Sequence, residues 1–324
     1  MRIGVVADGT AHTRDVVALA QLAETHGVDE FWLTEDYFER GAFAVAGAVL
    51  ATTSTVTVGI GVVNPWTRHP VLTAMETAAL TEVGPGRVIL GLGASNQRWM
   101  QAQLGIPFQR PISRLAESVE VIRALLAGEH VRRETLGGTV DARLAFVPER
   151  PVPIALGVKG QRALDLGRRV ADSILLSTLS SPAYVRWVRE RVGDDVPLAA
   201  YVAGSYGADR QAARERVRPF VAKYLGVHGR HDITRVAGID AGLADEFRAG
   251  WVDGRPRADL VGDELVDLFT LAGDADDIAG GVGRLAAAGL GTLVVQDRGA
   301  AGRDGLLRLL EVVRAAAAPP TSRT

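Results

Sequence analysis

The chain has 324 residues, of which 47% are hydrophobic, and contains no cysteine, so disulfides, thiolate metal sites and a cysteine nucleophile are excluded. Its formal net charge is only −2, which gives no electrostatic reason to expect nucleic acid or an anionic membrane as a partner. No apolar run approaches membrane-spanning length, and residues 1–7 read as a strand rather than a secretion signal, so a cytoplasmic protein is expected.

Short apolar strands and amphipathic helices alternate along the chain. The stretch RIGVV (2–6) precedes a helix over about 13–26, EFWLT (30–34) precedes one over 42–52, and VTVGIGVV (56–63) precedes one over 71–82. RVILGLG (87–93), VPIALG (152–157), DSILLS (172–177), VPLAAYV (196–202) and LGTLVVQ (290–296) complete eight strands. Nearly continuous apolar strands are the mark of a parallel sheet covered on its outer face. Eight such units predict an α/β fold, a (β/α)8 TIM barrel, with a doubly wound sheet as the runner-up.

Two stretches break the rhythm and are expected as insertions near the C-terminal mouth. Residues 128–150 read as a hairpin around Gly137-Gly138, and residues 226–262 exceed the usual length of a connection. The barrel is expected to occupy residues 1–315 as one domain, with 316–324 as a disordered tail.

Barrel enzymes place their chemistry at the C-terminal ends of the strands. There the sequence sets Glu35-Asp36-Tyr37 after the second strand, Asn64 to His69 after the third, and Ser95, Asn96 and Trp99 after the fourth. Gly157-Val158-Lys159-Gly160 follows the fifth, and Ser177-Thr178 the sixth. Each has a plainer alternative: Glu35 and Asp36 suit a helix N-terminus as well as a site, and so do Arg68 and His69. The segment 157–160 also fits an anion nest before a helix. His228 and His231 can share a helix face, but no third ligand lies near them in sequence and no metal is expected.

The stretch TVGIGVVNPWTRHPVLTAMETAALTEVGPGRVILGLGAS resembles the luciferase-like oxidoreductases, and among them the deazaflavin-dependent branch that includes methylenetetrahydromethanopterin reductase. RLAESVEVIRALLAGEHV (114–131), 152–177 and 271–295 are similar to further segments of that family. The resemblance implies coenzyme F420, with FMN as the alternative, held without a covalent bond. It implies hydride transfer to or from a C=N, C=C or alcohol group of a small molecule, and a homodimer. An FMN-dependent monooxygenase and a non-catalytic ligand-binding barrel are the competing functions.

The same resemblance assigns residues. A non-prolyl cis peptide in a bulge of the third strand would fall at Gly61-Val62, and Asn64 and Ser95 would border the cofactor. Gly157, Val158, Lys159 and Gly160 would meet the cofactor phosphate, with Ser177 nearby. Glu35 and Asp36 stand where similar proteins carry an acid and a histidine and are the expected catalytic pair; Asn96, Trp99, His228 and His231 are expected to line the substrate pocket.

Overall fold

A computed structural model describes every residue except Tyr37, 299–302 and 319–324. The first elements are β1 (Arg2–Ala7), α1 (Thr13–Thr25), β2 (Glu30–Leu33), α2 (Ala42–Thr52), β3 (Thr57–Val63), α3 (Pro70–Val83) and β4 (Val88–Gly93). A π-helical turn (Arg98–Gln103) leads into α4 (Pro111–Leu126), β5 (Val131–Thr135), β6 (Gly138–Ala142), β7 (Ile154–Gly157), α5 (Gln161–Val170) and β8 (Ser173–Leu176). Then come α6 (Pro182–Val192), β9 (Leu198–Tyr206), α7 (Arg210–His228), α8 (Asp232–Val236), α9 (Ala241–Val252) and α10 (Asp263–Phe269). The chain closes with β10 (Thr270–Gly273), α11 (Ala275–Ala287), β11 (Thr292–Asp297) and α12 (Arg303–Ala317). This succession of parallel strands and covering helices is a (β/α)8 barrel.

The chain divides into two compact units, one of Val6–Leu175 and one of Met1–Val5 with Leu176–Thr324. In the first, β2, β3, β4, β7 and β8 pair in parallel, with Trp32 beside Gly59, Val58 beside Val88, Leu90 beside Ile154 and Leu156 beside Ile174. Side-chain size is matched across these pairs: a Cβ on Gly59 would come within 2.5 Å of the Trp32 ring. The covering helix α2 has no charged residue, and it buries Phe43, Val45, Val49 and Leu50. In the second unit, β11 pairs in parallel with both β1 and β9, and β10 pairs with the far end of β9.

The strand β10 is an addition to the eight read from sequence. It is four residues long and follows α10 with no intervening turn residue, so the sequence carries no boundary to mark it. The hairpin is present: β5 and β6 pair antiparallel around Leu136-Gly137, and the Leu136 N–H donates to Glu117 of α4 at 2.7 Å. Residues 226–262, expected as an insertion, are largely helical, in α8, α9 and the end of α7. The last helix runs through Ala317, two residues into the expected tail, whose residues 319–324 lie outside the described ones. Among the described residues no helix is long and apolar enough to cross a membrane.

Candidate cofactor site

The end of β3 in the first unit has an unusual backbone. The Gly61-Val62 peptide bond is cis, as the resemblance implies, and the register of β3 against β4 shifts between Ile60 and Val63. The Val62 side chain projects toward β4 and β7, and glycines clear the space for it. A Cβ on Gly93 would come within 2.5 Å of Val62 Cγ2, one on Gly157 within 2.7 Å of Val62 Cγ1, and one on Gly91 would collide with the Ile60 carbonyl. Contacts this short force the neighbour to shift, so alanine at these positions is incompatible with the bulge as built. Gly157 therefore serves the β3 ledge directly.

Beyond the ledge, Asn64 is buried and its Oδ1 accepts the N–H groups of Trp66 (2.8 Å) and Thr67 (3.1 Å), closing an Asx turn. Trp66 then stacks near Phe108 at 4.7 Å, and the Arg114 guanidinium sits over its ring while donating to the Pro65 carbonyl. His69 caps α3, its Nδ1 accepting the Val71 N–H at 3.2 Å.

The acids after β2 divide their roles. Glu35 Oε2 accepts the Ala42 N–H at the start of α2 at 2.6 Å, and Oε1 accepts from Arg68 Nη2 at 3.0 Å. Arg68 also pairs with Glu76 of α3 and lies over the Phe43 ring at 4.6 Å. Glu35 thus ties α2 to the turn after β3, the capping alternative that the sequence left open. Asp36 is half-buried, and Tyr37 lies outside the described residues. Farther along, Arg40 donates to the carbonyls of Gly9 and Thr10, at 3.0 and 2.9 Å, and so pins the far side of the same loop.

Two buried hydroxyls stand at the ends of the strands that flank β3. Thr34 Oγ1 follows β2 and Ser95 Oγ follows β4, and neither makes a hydrogen bond among the described residues. Ser95 also has φ 59°, a left-handed conformation costly for a residue with a Cβ. Asn96 accepts the Trp99 N–H at 3.0 Å and so fixes the start of the π-helical turn. Past β7, Gly160 has φ 81° and precedes α5, whose first N–H groups receive no side-chain cap among the described residues. Lys159 is reached by solvent, yet surrounding protein desolvates its ammonium enough to hold its pKa below the usual lysine value. A cation beside uncapped helix N–H groups suits an anion.

The remaining expected residues belong to the second unit. The Ser177 carbonyl accepts the Ser180 hydroxyl at 2.6 Å, and His228 Nε2 bonds the Thr178 carbonyl at 2.9 Å. His231 lies 6.4 Å from the His228 ring and caps α8. Sequence reasoning passed over Thr34, Gly91 and Gly93. The two glycines were visible as the alternation in RVILGLG, but the reason for them is a side chain on another strand.

Comparison with known proteins shows the family to which this fold belongs. The family model described as luciferase-like monooxygenase matches residues 1–292. The 5,10-methylenetetrahydromethanopterin reductase of Archaeoglobus fulgidus is 30% identical over 295 residues, spanning 85% of this chain and 86% of that protein. The F420-dependent glucose-6-phosphate dehydrogenase of Beutenbergia cavernae is 33% identical over 272 residues, spanning 74% and 79%. The solved coenzyme F420 dependent tetrahydromethanopterin reductase of Methanopyrus kandleri superposes with a TM-score of 0.82 at 24% identity, covering 96% of each chain. The ledge at Val62 and its glycine surround are therefore set in a member of a known group: the chain belongs to the luciferase-like monooxygenase family.

Proposed function

We propose that this chain is a coenzyme F420-dependent oxidoreductase acting on a small organic molecule. The observation that carries the reading is the ledge: a bulge in β3 sets Val62 against Gly91, Gly93 and Gly157, which leave room for its side chain, and a planar tricyclic ring can rest on that ledge. The buried hydroxyls of Thr34 and Ser95 give the polar edge of such a ring partners that the chain alone does not supply. Lys159 and the uncapped start of α5 fit a phosphate on the cofactor's side chain. Support for F420 over FMN comes from the named relatives, two of which carry F420 in their descriptions.

When bound, the deazaflavin supplies a ring carbon that gives or accepts hydride. The chain's tasks are then to hold the ring, exclude water and manage one proton. Glu35 is committed to Ala42 and Arg68, and successive residues of an extended segment point to opposite sides, so Asp36 is the acid we assign to the proton. Asn96 and Trp99 remain the assigned substrate contacts of the first unit.

A cytoplasmic homodimer built from one barrel domain per chain completes the proposal. Its support is an apolar surface on two helices: α3 exposes Leu72, Met75 and Val83, and α2 turns outward only small residues such as Ala44 and Ala51. Titration with F420 and with FMN tests the cofactor, and light scattering the assembly.

A further inference from the structure

The second half of α7 carries rings at i, i+4 and i+8: Phe220, Tyr224 and His228. Phe220 and Tyr224 have centroids 4.6 Å apart, Tyr224 and His228 6.4 Å, and His231 continues the row another 6.4 Å on. Apart from the buried His228, the row lies off the helix's packing face. Val217, Val221 and Leu225 of the same helix are fully buried, whereas Phe220, Tyr224 and His231 are only half-buried. The aliphatic stripe and the buried His228 hold α7 in place, and Phe220, Tyr224 and His231 lie at the boundary with solvent.

The α7 part of the row is fixed at both ends to the C-terminal ends of strands. At one end the Arg298 guanidinium, immediately past β11, lies 4.5 Å over the Phe220 ring, and the Arg298 N–H donates to the Gly204 carbonyl of β9. At the other end His228 bonds the Thr178 carbonyl just past β8. A carbonyl only accepts, so His228 Nε2 carries a proton and the ring orientation is set. Strand C-termini are where barrels of this class bind their substrates.

We propose that this row is the wall that receives the substrate, and that the substrate presents a planar conjugated ring to it. The proposal rests on the oxidoreductase reading, which requires a substrate site besides the cofactor site. A flat ring gains from offset or edge-on contact with several aromatic rings in line, and a saturated one gains only buried area. The cations argue against a sugar phosphate. Arg298 and Lys223 lie over the rings of Phe220 and Tyr224 instead of converging on one point where a phosphate would sit.

The test is a pair of probes that share a skeleton, 2-naphthol and decahydro-2-naphthol, titrated into the full chain, with F420 titrated into the same samples. The expected result is at least about tenfold tighter binding of 2-naphthol. The double variant Phe220→Leu, Tyr224→Leu should reduce that preference to about twofold or less without moving the melting temperature by more than about 3 °C, and Tyr224→Phe should retain it. Equal binding of the two probes to the unaltered chain, or an undiminished preference in the leucine variant, would overturn the proposal. Ring preference together with absent F420 binding would uphold the wall and refute the cofactor reading; F420 binding without ring preference would do the reverse.

Discussion

Glu35 Oε1 and Arg68 Nη2 lie 3.0 Å apart and join the end of β2 to the turn before α3, while the other Glu35 oxygen holds the first N–H of α2. An acid so engaged is a fastening for the loop that carries Asp36. Glu35→Gln should therefore cost about 1–2 kcal/mol of stability while changing turnover at saturating cofactor by no more than about threefold. Asp36→Asn should do the opposite, lowering turnover about a hundredfold at nearly unchanged stability. Steady-state kinetics and thermal melting of both variants check this; a large rate loss in Glu35→Gln alone would reverse the assignment.

Gly157 is the residue on which the ledge at Val62 depends most simply. Gly157→Ala sets a methyl 2.7 Å from Val62 Cγ1, so it should destabilise the chain by about 1–3 kcal/mol and weaken cofactor binding with it. Removing the opposing methyls with Val62→Ala in the same chain should restore most of the stability. A double-mutant cycle by urea unfolding measures the coupling, and strict additivity would show that the two side chains do not meet.

Lys159 gives a pH-dependent signature. Its desolvated ammonium titrates below the usual 10.5, so attraction for an anionic cofactor should fade on the alkaline side earlier than for an ordinary lysine. Lys159→Ala should weaken cofactor affinity about ten- to a hundredfold at neutral pH and abolish that alkaline decline. Affinity measured against pH for both proteins distinguishes this from a loop with no role, which would leave the two profiles superimposed.

Acid stability should carry the mark of Glu24. Its carboxylate on α1 accepts the N–H groups of Ser54, Thr55 and Val56 in the α2–β3 connection at 2.6 to 3.0 Å, along with the Thr55 hydroxyl. Burial alone would raise its pKa, but the backbone donors outweigh that and bring it from 4.5 to about 2. The folded state thus holds the charged form more strongly than the unfolded state does. The resulting stability is complete above pH 4.5 and is lost as the pH falls toward 2. Glu24→Gln should lower stability by about 1–2 kcal/mol at neutral pH, allowing for solvent screening, and the gap should close in that acid window. A gap that stays constant down to pH 2 would contradict the role.

The barrel was legible because its strands are short, apolar and spaced by amphipathic helices, a pattern that local periodicity records. The NPWTRHP segment likewise announced the end of β3, and the structure explains each part of it: Asn64 closes the turn, Arg68 clamps two acids, and His69 caps α3. What sequence left open was direction. Whether Glu35 faces a ligand or a helix depends on where α2 begins and on Arg68, which lies 33 residues from Glu35 along the chain. The glycine cradle was hidden for the same reason, since Gly91, Gly93 and Gly157 are explained by Val62 and not by their own turns. In the same way, β10 escaped notice because four residues joined directly to a helix offer no period to read.

The central claim is the identity of the cofactor, and equilibrium titration of the purified chain with F420 and, separately, with FMN tests it most directly. The account predicts saturable F420 binding that Lys159→Ala weakens about ten- to a hundredfold, with FMN bound more weakly than F420. Saturable binding of FMN with none of F420 would contradict it.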